Sequence, residues 1–153
     1  MTQASTTAVH TLLLASDHAG YSLKAALQTA LAARDLRLVD LGCDSAARSV
    51  DYPDYARKLT GRLAEAGNGV LGLLMCGSGV GMAMTANRIP GMRAVVCSEA
   101  YSAGMARAHN NANILCLGAR VVGVDLALHI VDAFLSTPFE AGRHARRVAA
   151  IEG

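Results

Sequence analysis

The 153-residue sequence predicts an open, doubly wound α/β sheet formed in one domain. Short apolar runs recur along the chain, longer segments of helical periodicity separate them, and polar and glycine-rich stretches follow the runs. Nearly continuous runs of Val, Leu, Ile, Ala and Cys suit strands covered on both faces of a parallel sheet. Parallel neighbours need long crossovers, which the helical segments supply with right-handed connections.

The first run is residues 12–16, and Leu23, Ala26, Leu27, Ala30 and Leu31 then share one helical face. A second run covers 36–41, and a weaker helical pattern spans 54–66 with Pro53 placed for a first turn. The third run, 70–76, ends in a glycine loop, and a helix is expected to begin near Gly79. The fourth run, 93–98, leads into a helical pattern over 98–108, and the fifth covers 113–119. Val124, Ala127, Leu128, Val131, Phe134 and Leu135 form the last long apolar face. A basic segment, 140–150, ends the chain with no strand after it, and its apolar Val148 and Ile151 predict that it packs.

This length fits one domain over 11–153, preceded by a flexible N-terminus at 1–10. No apolar run reaches the roughly 18 residues of a membrane span. The net charge of +2 and the absence of Trp give no footprint for nucleic acid. Cys43, Cys76, Cys97 and Cys116 form no C-x-x-C pair or zinc spacing, which reads as reduced thiols in a cytoplasmic protein.

In such sheets ligands bind beyond the carboxyl ends of the strands. There the sequence reads "SDHAG" after the first strand and "MCGSGVG" after the third. Gly77, Gly79 and Gly81 leave backbone N–H groups uncovered and permit positive φ. With a helix N-terminus behind them they suit a phosphate or a developing oxyanion, although a tight strand-to-helix turn explains the glycines equally well. A dinucleotide fingerprint fails because Met82 stands at its last glycine, and the Gly-Lys-Ser/Thr of a phosphate-loop NTPase is absent. Cys76 reads either as a small buried hydrophobe or as a nucleophile favoured by the nearby helix N-terminus. Asp17 and His18 also suit a helix cap, and His109 with Asn110 suits a helix-ending turn. Arg143 and Arg147 share one helical face, either solvated or gripping a phosphate.

The motifs "SDHAGYSLK", "VDYPDYA", "CGSGVGMAMTANRIPGMRAVVCSE", "HNNANILCLGAR" and "GRHARRV" closely resemble the ribose-5-phosphate isomerase B family, which includes the galactose-6-phosphate isomerase subunits. The resemblance implies a Rossmann-like fold and a homodimer with shared active sites, and leaves dimer versus tetramer open. It implies interconversion of ribose 5-phosphate and ribulose 5-phosphate with no metal or organic cofactor. By residue match, Cys76 corresponds to the proton-transferring base and His109 to the ring-opening acid/base. Asp17, His18, Gly77, Ser78, Gly79, Val80, Gly81, Asn110, Arg120, Arg143 and Arg147 correspond to the substrate-binding set. One branch of the family uses a glutamate just after the glycine loop, where this chain has Met82. His144 opens the ring in some members, so its division of labour with His109 stays open. The alternatives are an isomerase of allose 6-phosphate, galactose 6-phosphate or a tetrose phosphate, and a non-catalytic sugar-phosphate-binding subunit.

Overall fold

The computed structural model describes residues 8–153. The element order is β1 (Thr11–Ser16), α1 (Tyr21–Leu31), β2 (Arg37–Asp40), α2 (Tyr52–Ala64), β3 (Val70–Cys76) and α3 (Val80–Ala86). It continues with β4 (Ala94–Val96), α4 (Ala100–Asn110), β5 (Ile114–Gly118), α5 (Val124–Ser136) and α6 (Arg143–Glu152). The five strands form one parallel sheet in the order β2-β1-β3-β5-β4. Residues 1–7 of the expected flexible terminus lie outside the described residues, while the His10 N–H donates to the Gly69 carbonyl at 2.9 Å.

The sheet separates two cores. On one face, Leu12, Leu14, Leu73 and Leu115 pack with α1, α4 and α5. On the other, Leu13, Leu74, Cys76 and Cys116 pack with α2 and α3. Each leucine withdrawn fully from water contributes about 1.5–3 kcal/mol, so β1, β3 and β5 anchor the fold.

The outer strands depart from the expected two-sided burial. β2 is only partly covered and β4 keeps three residues of the expected run, because both lie at sheet edges. The Asn113 side chain takes the Arg93 N–H at 2.8 Å, and the Glu99 carboxylate caps α4 by accepting from the Ser102 N–H at 2.9 Å. On α1 the buried face is Leu23, Lys24, Leu27 and Leu31, with Ala30 exposed. Lys24 replaces the expected alanines because its ammonium reaches Asp40 Oδ1 at 2.5 Å and the Cys43 carbonyl at 2.7 Å. Those bonds satisfy a fully buried cation and tie α1 to the end of β2. The basic terminal segment is α6, which lies beside α4. Its far end is held by Glu152, which accepts from the Gly91 N–H at 3.0 Å and from Arg93 Nη1 at 2.5 Å. The segment packs as expected, but through the buried His144 and not through Ile151, which is exposed.

Candidate active site

The strand order reverses direction at β1 and β3, whose carboxyl ends open a crevice. Asp17 follows β1, is buried, and donates its N–H to the Met75 carbonyl at 3.2 Å. Its Oδ1 accepts from the Gly20 N–H at 2.9 Å, so it fastens the turn ahead of α1 and is not itself the helix cap. His18 Nδ1 accepts from the Val50 N–H at 3.1 Å, which joins the first strand end to the loop before α2.

Cys76 closes β3 with its side chain almost wholly buried. The Gly79 N–H donates to its Sγ at 3.1 Å. That donor is aimed by a left-handed residue, with Gly79 at φ 81°, a conformation natural to glycine. A second strand end braces the loop, because the Ala119 and Arg120 N–H groups donate to the carbonyls of Cys76 and Gly77 at 2.8 and 3.0 Å. The Arg120 guanidinium lies so close over Gly77 that a Cβ there would sit 3.0 Å from Nη1. The Tyr52 ring covers Gly81 in the same way, at 2.6 Å. Ser78 and Val80 are exposed at the mouth, and the Val80 N–H donates to Ser78 Oγ at 3.3 Å. Met82 is fully buried beneath them.

The other thiols stand apart from this loop. Burial, with the charge of Glu99 adding to it, pushes Cys97 up to about 11. Burial, then Cys76 and Cys97, pushes Cys116 far above the ordinary thiol range. Cys43 Sγ donates to the Ser45 carbonyl at 3.4 Å.

A second group forms where α4 ends. Asn111, with φ 47°, is the left-handed residue that stops this helix, so Asn110 stays helical and exposed beside His109. The Glu140 N–H donates to the Ala108 carbonyl at 3.0 Å, which fixes the segment before α6 against the end of α4. The His109 and His144 rings then stack, with centroids 4.2 Å apart and planes within 8°. Glu140 Oε2 lies 3.9 Å from His109 Nε2 and 3.6 Å from His144 Nε2. Arg143 Nε points at His144 Nε2 from 3.4 Å. Burial lowers the pKa of His144, and the charges of His109, Arg143 and Arg147 lower it further, against the opposing pull of Glu140.

Asp17, His18, Cys76, the loop from Gly77 to Gly81 and Arg120 therefore lie at the carboxyl ends of the neighbouring strands β1, β3 and β5, while His109, Asn110, Arg143, His144 and Arg147 gather at the α4–α6 junction. Among the described residues, no hydrogen bond or ion pair joins the two groups.

Residues 12–151 match the ribose/galactose isomerase family. The chain belongs to this family. It is 48% identical over 136 residues to ribose-5-phosphate isomerase B of Escherichia coli, covering 88% of this chain and 89% of that protein. Among solved structures, a ribose 5-phosphate isomerase from Thermotoga maritima superposes with a TM-score of 0.88 at 45% identity, covering 94% of this chain and 97% of that one. Ribose-5-phosphate isomerase B from Mycoplasma genitalium, solved with bound ribulose-5-phosphate, gives a TM-score of 0.89 at 38% identity and covers 95% of each chain.

Within this isomerase fold the structure adds residues that sequence reasoning left without a role. Tyr52 lies in the quoted "VDYPDYA" motif, and only its packing on Gly81 shows that it walls the glycine loop. Glu140 stands four residues before His144, a helical spacing that could have drawn attention to it.

Proposed function

We propose that this chain interconverts D-ribose 5-phosphate and D-ribulose 5-phosphate, with Cys76 as the base. The observation that carries this reading is a thiol and a backbone N–H converging at one strand end, in a chain closely similar to ribose-5-phosphate isomerases. The Cys76 thiolate removes the C2 proton of the open-chain aldose. The C–H electron pair becomes the C1=C2 bond, and the carbonyl oxygen takes the charge of an enediolate. Loop N–H groups offset that charge as it develops. The thiol then returns its proton to C1 while the O2 hydroxyl proton passes to O1, so that C2=O2 forms and O1 becomes the C1 hydroxyl of the ketose. Acid/base groups of this kind contribute about 10²–10⁴-fold each. Asp17, His18 and Arg120 hold the sugar in the crevice.

The α4–α6 group belongs to the same reaction, supplied by a second copy of the chain. His109 and His144 open the sugar ring, Asn110 binds beside them, and Arg143 and Arg147 grip the phosphate. A site completed across a two-fold axis fits the separation of the two groups within one chain. The exposed Val80 and Met84 of α3 and Tyr101 of α4 give that contact an apolar surface. Four free cysteines suit the reducing cytoplasm.

Incubation with ribose 5-phosphate, followed by ketose detection, tests the activity. Turnover is expected, and binding without turnover would make the chain a sugar-phosphate-binding subunit. Comparing kcat/KM for ribose 5-phosphate, allose 6-phosphate, galactose 6-phosphate and a tetrose phosphate tests the substrate. The pentose is expected to rank first.

A further inference from the structure

Ring opening of a furanose poses a proton problem that a single histidine solves in two steps. The C1–O4 bond breaks, its electron pair stays on O4, and O4 takes up a proton. The O1 hydroxyl loses its proton as C1=O1 forms. One proton enters the sugar and one leaves, at two oxygens bonded to the same carbon.

We propose that Glu140 binds the stacked His109 and His144 rings into one acid/base unit that holds a single proton, with Glu140 as its positioning residue. The imidazolium of the pair gives its proton to O4 while the neutral ring takes the proton from O1. The unit carries one proton before and after the step, and the net charge facing Glu140 does not change. This inference rests on the isomerase reading and assigns ring opening to both histidines together.

The geometry supports a shared proton in three ways. Rings 4.2 Å apart cannot readily both carry positive charge, so the second proton binds only at lower pH. One carboxylate oxygen lies at ion-pair distance from both Nε2 atoms, at 3.9 and 3.6 Å, so it stabilises the charge on either ring. The Glu140 backbone is fixed to the residue beside His109, through the Ala108 carbonyl at 3.0 Å. The charges acting on His144 are Glu140 from the connecting segment, Arg143 and Arg147 from α6, and His109 across the stack. Burial, His109 and the two guanidiniums oppose protonation of His144, and the Glu140 carboxylate offsets them in part. The same three side chains have metal-ligating atoms within 4.8 Å of one another. A metal ion, however, binds close to the plane of each imidazole, and stacked planes inclined by only 8° do not meet within bonding distance of both rings.

The test uses Glu140→Gln and Glu140→Asp, with two readouts. The first is NMR titration of the histidine ring protons in the full chain, with chelator present. In wild type, the His109 and His144 signals should move together in a shared first step. In Glu140→Gln that step should fall to lower pH, and in Glu140→Asp it should be largely retained. Independent titration of the rings, or an unmoved step in Glu140→Gln, would overturn the proposal. This readout needs no turnover, so it stands even if ribose 5-phosphate is not the substrate.

The second readout splits the reaction. Ribulose 5-phosphate has no free hydroxyl with which to close a furanose ring, so exchange of its C1 proton with D₂O bypasses ring opening. Glu140→Gln should lose about 10-fold or more in ribose 5-phosphate turnover and keep the ketose exchange rate within about twofold. Equal losses in both would make Glu140 merely structural. His109→Asn and His144→Asn should each lose aldose turnover to a similar extent, and the double variant should lose little more, as for residues acting as a unit. Near-normal turnover in either single variant would assign ring opening to the other histidine alone.

Discussion

At the glycine loop, the Cys76 thiol is held by backbone. The Gly79 N–H meets Cys76 Sγ at 3.1 Å, and two further N–H groups from the segment after β5 clamp the carbonyls of Cys76 and Gly77. At the α4–α6 junction, the His109 and His144 rings are held by other side chains: a carboxylate, an arginine and each other. Backbone donors keep their dipoles at any pH, whereas the junction is made of groups that titrate. The first region is therefore a fixed electrostatic scaffold around one thiol, and the second responds to charge. Substitution should break them differently.

The largest effect is expected from Cys76→Ser. Serine keeps the size and the hydrogen bond to Gly79, so the unfolding temperature should stay within a few degrees of wild type. Its hydroxyl is far less acidic than a thiol, so kcat should fall by about 10²-fold or more. Near-normal kcat would remove Cys76 from the reaction. Alkylation sharpens the contrast among the cysteines, because Cys97 and Cys116 are held protonated by burial. Cys76 should label first, and ribose 5-phosphate should slow that labelling.

The next effect tests whether the two regions meet only between chains. Cys76→Ser homodimers and Arg143→Ala, Arg147→Ala homodimers should both be nearly inactive. A purified heterodimer of the two would hold one site with every defect and one with none. It should recover roughly half of wild-type turnover if the sites are independent. Heterodimers as inactive as the parents would place both regions of a working site on one subunit.

The same contrast decides what could be read in the sequence. β3 and the glycine loop are local features, so the apolar run over 70–76 and three spaced glycines were enough to place the thiol at a strand end. The edge strands were less legible, because β2 and β4 each have a neighbour on one side only, and no local pattern marks a strand as an edge. Periodicity also misassigned part of α1, since it cannot know that Asp40 and the Cys43 carbonyl wait for a buried lysine. His109 and His144 could be proposed separately from the family resemblance. Their stacking, and the carboxylate between them, depend on how α6 packs against α4, which no local pattern encodes.

The smallest effect separates the regions by pH. His144 has its pKa lowered below the ordinary 6.5, first by burial and then by His109 and Arg143. Above pH 6.5 the folded and unfolded forms are both neutral there, and its contribution to stability is fully present. As pH falls from 6.5 towards the lowered folded value, the unfolded chain binds the proton more readily and that stability is lost. Asp40 behaves the same way in a lower window. Burial alone would raise its pKa, but the Lys24 bond, the Gly42 N–H, the Lys24 charge and Gln28 together hold it below 3.8. Its contribution is therefore present above pH 3.8 and lost only as pH falls through the lowered folded value. Mild acid should accordingly loosen the start of α6 while β1 and β2 stay closed. Amide hydrogen exchange, corrected for its intrinsic pH dependence, should show α6 losing protection as pH falls below 6.5, and β2 only as pH falls below 3.8. His144→Asn should flatten the upper step and leave the lower one. Asp40→Asn should do the reverse and cost about 1–2 kcal/mol at pH 7, a modest figure because the carboxylate is 41% exposed even though its lysine is buried. If α6 and β2 open at the same pH in wild type, the junction is no more charge-sensitive than the scaffold, and the contrast between the two regions fails.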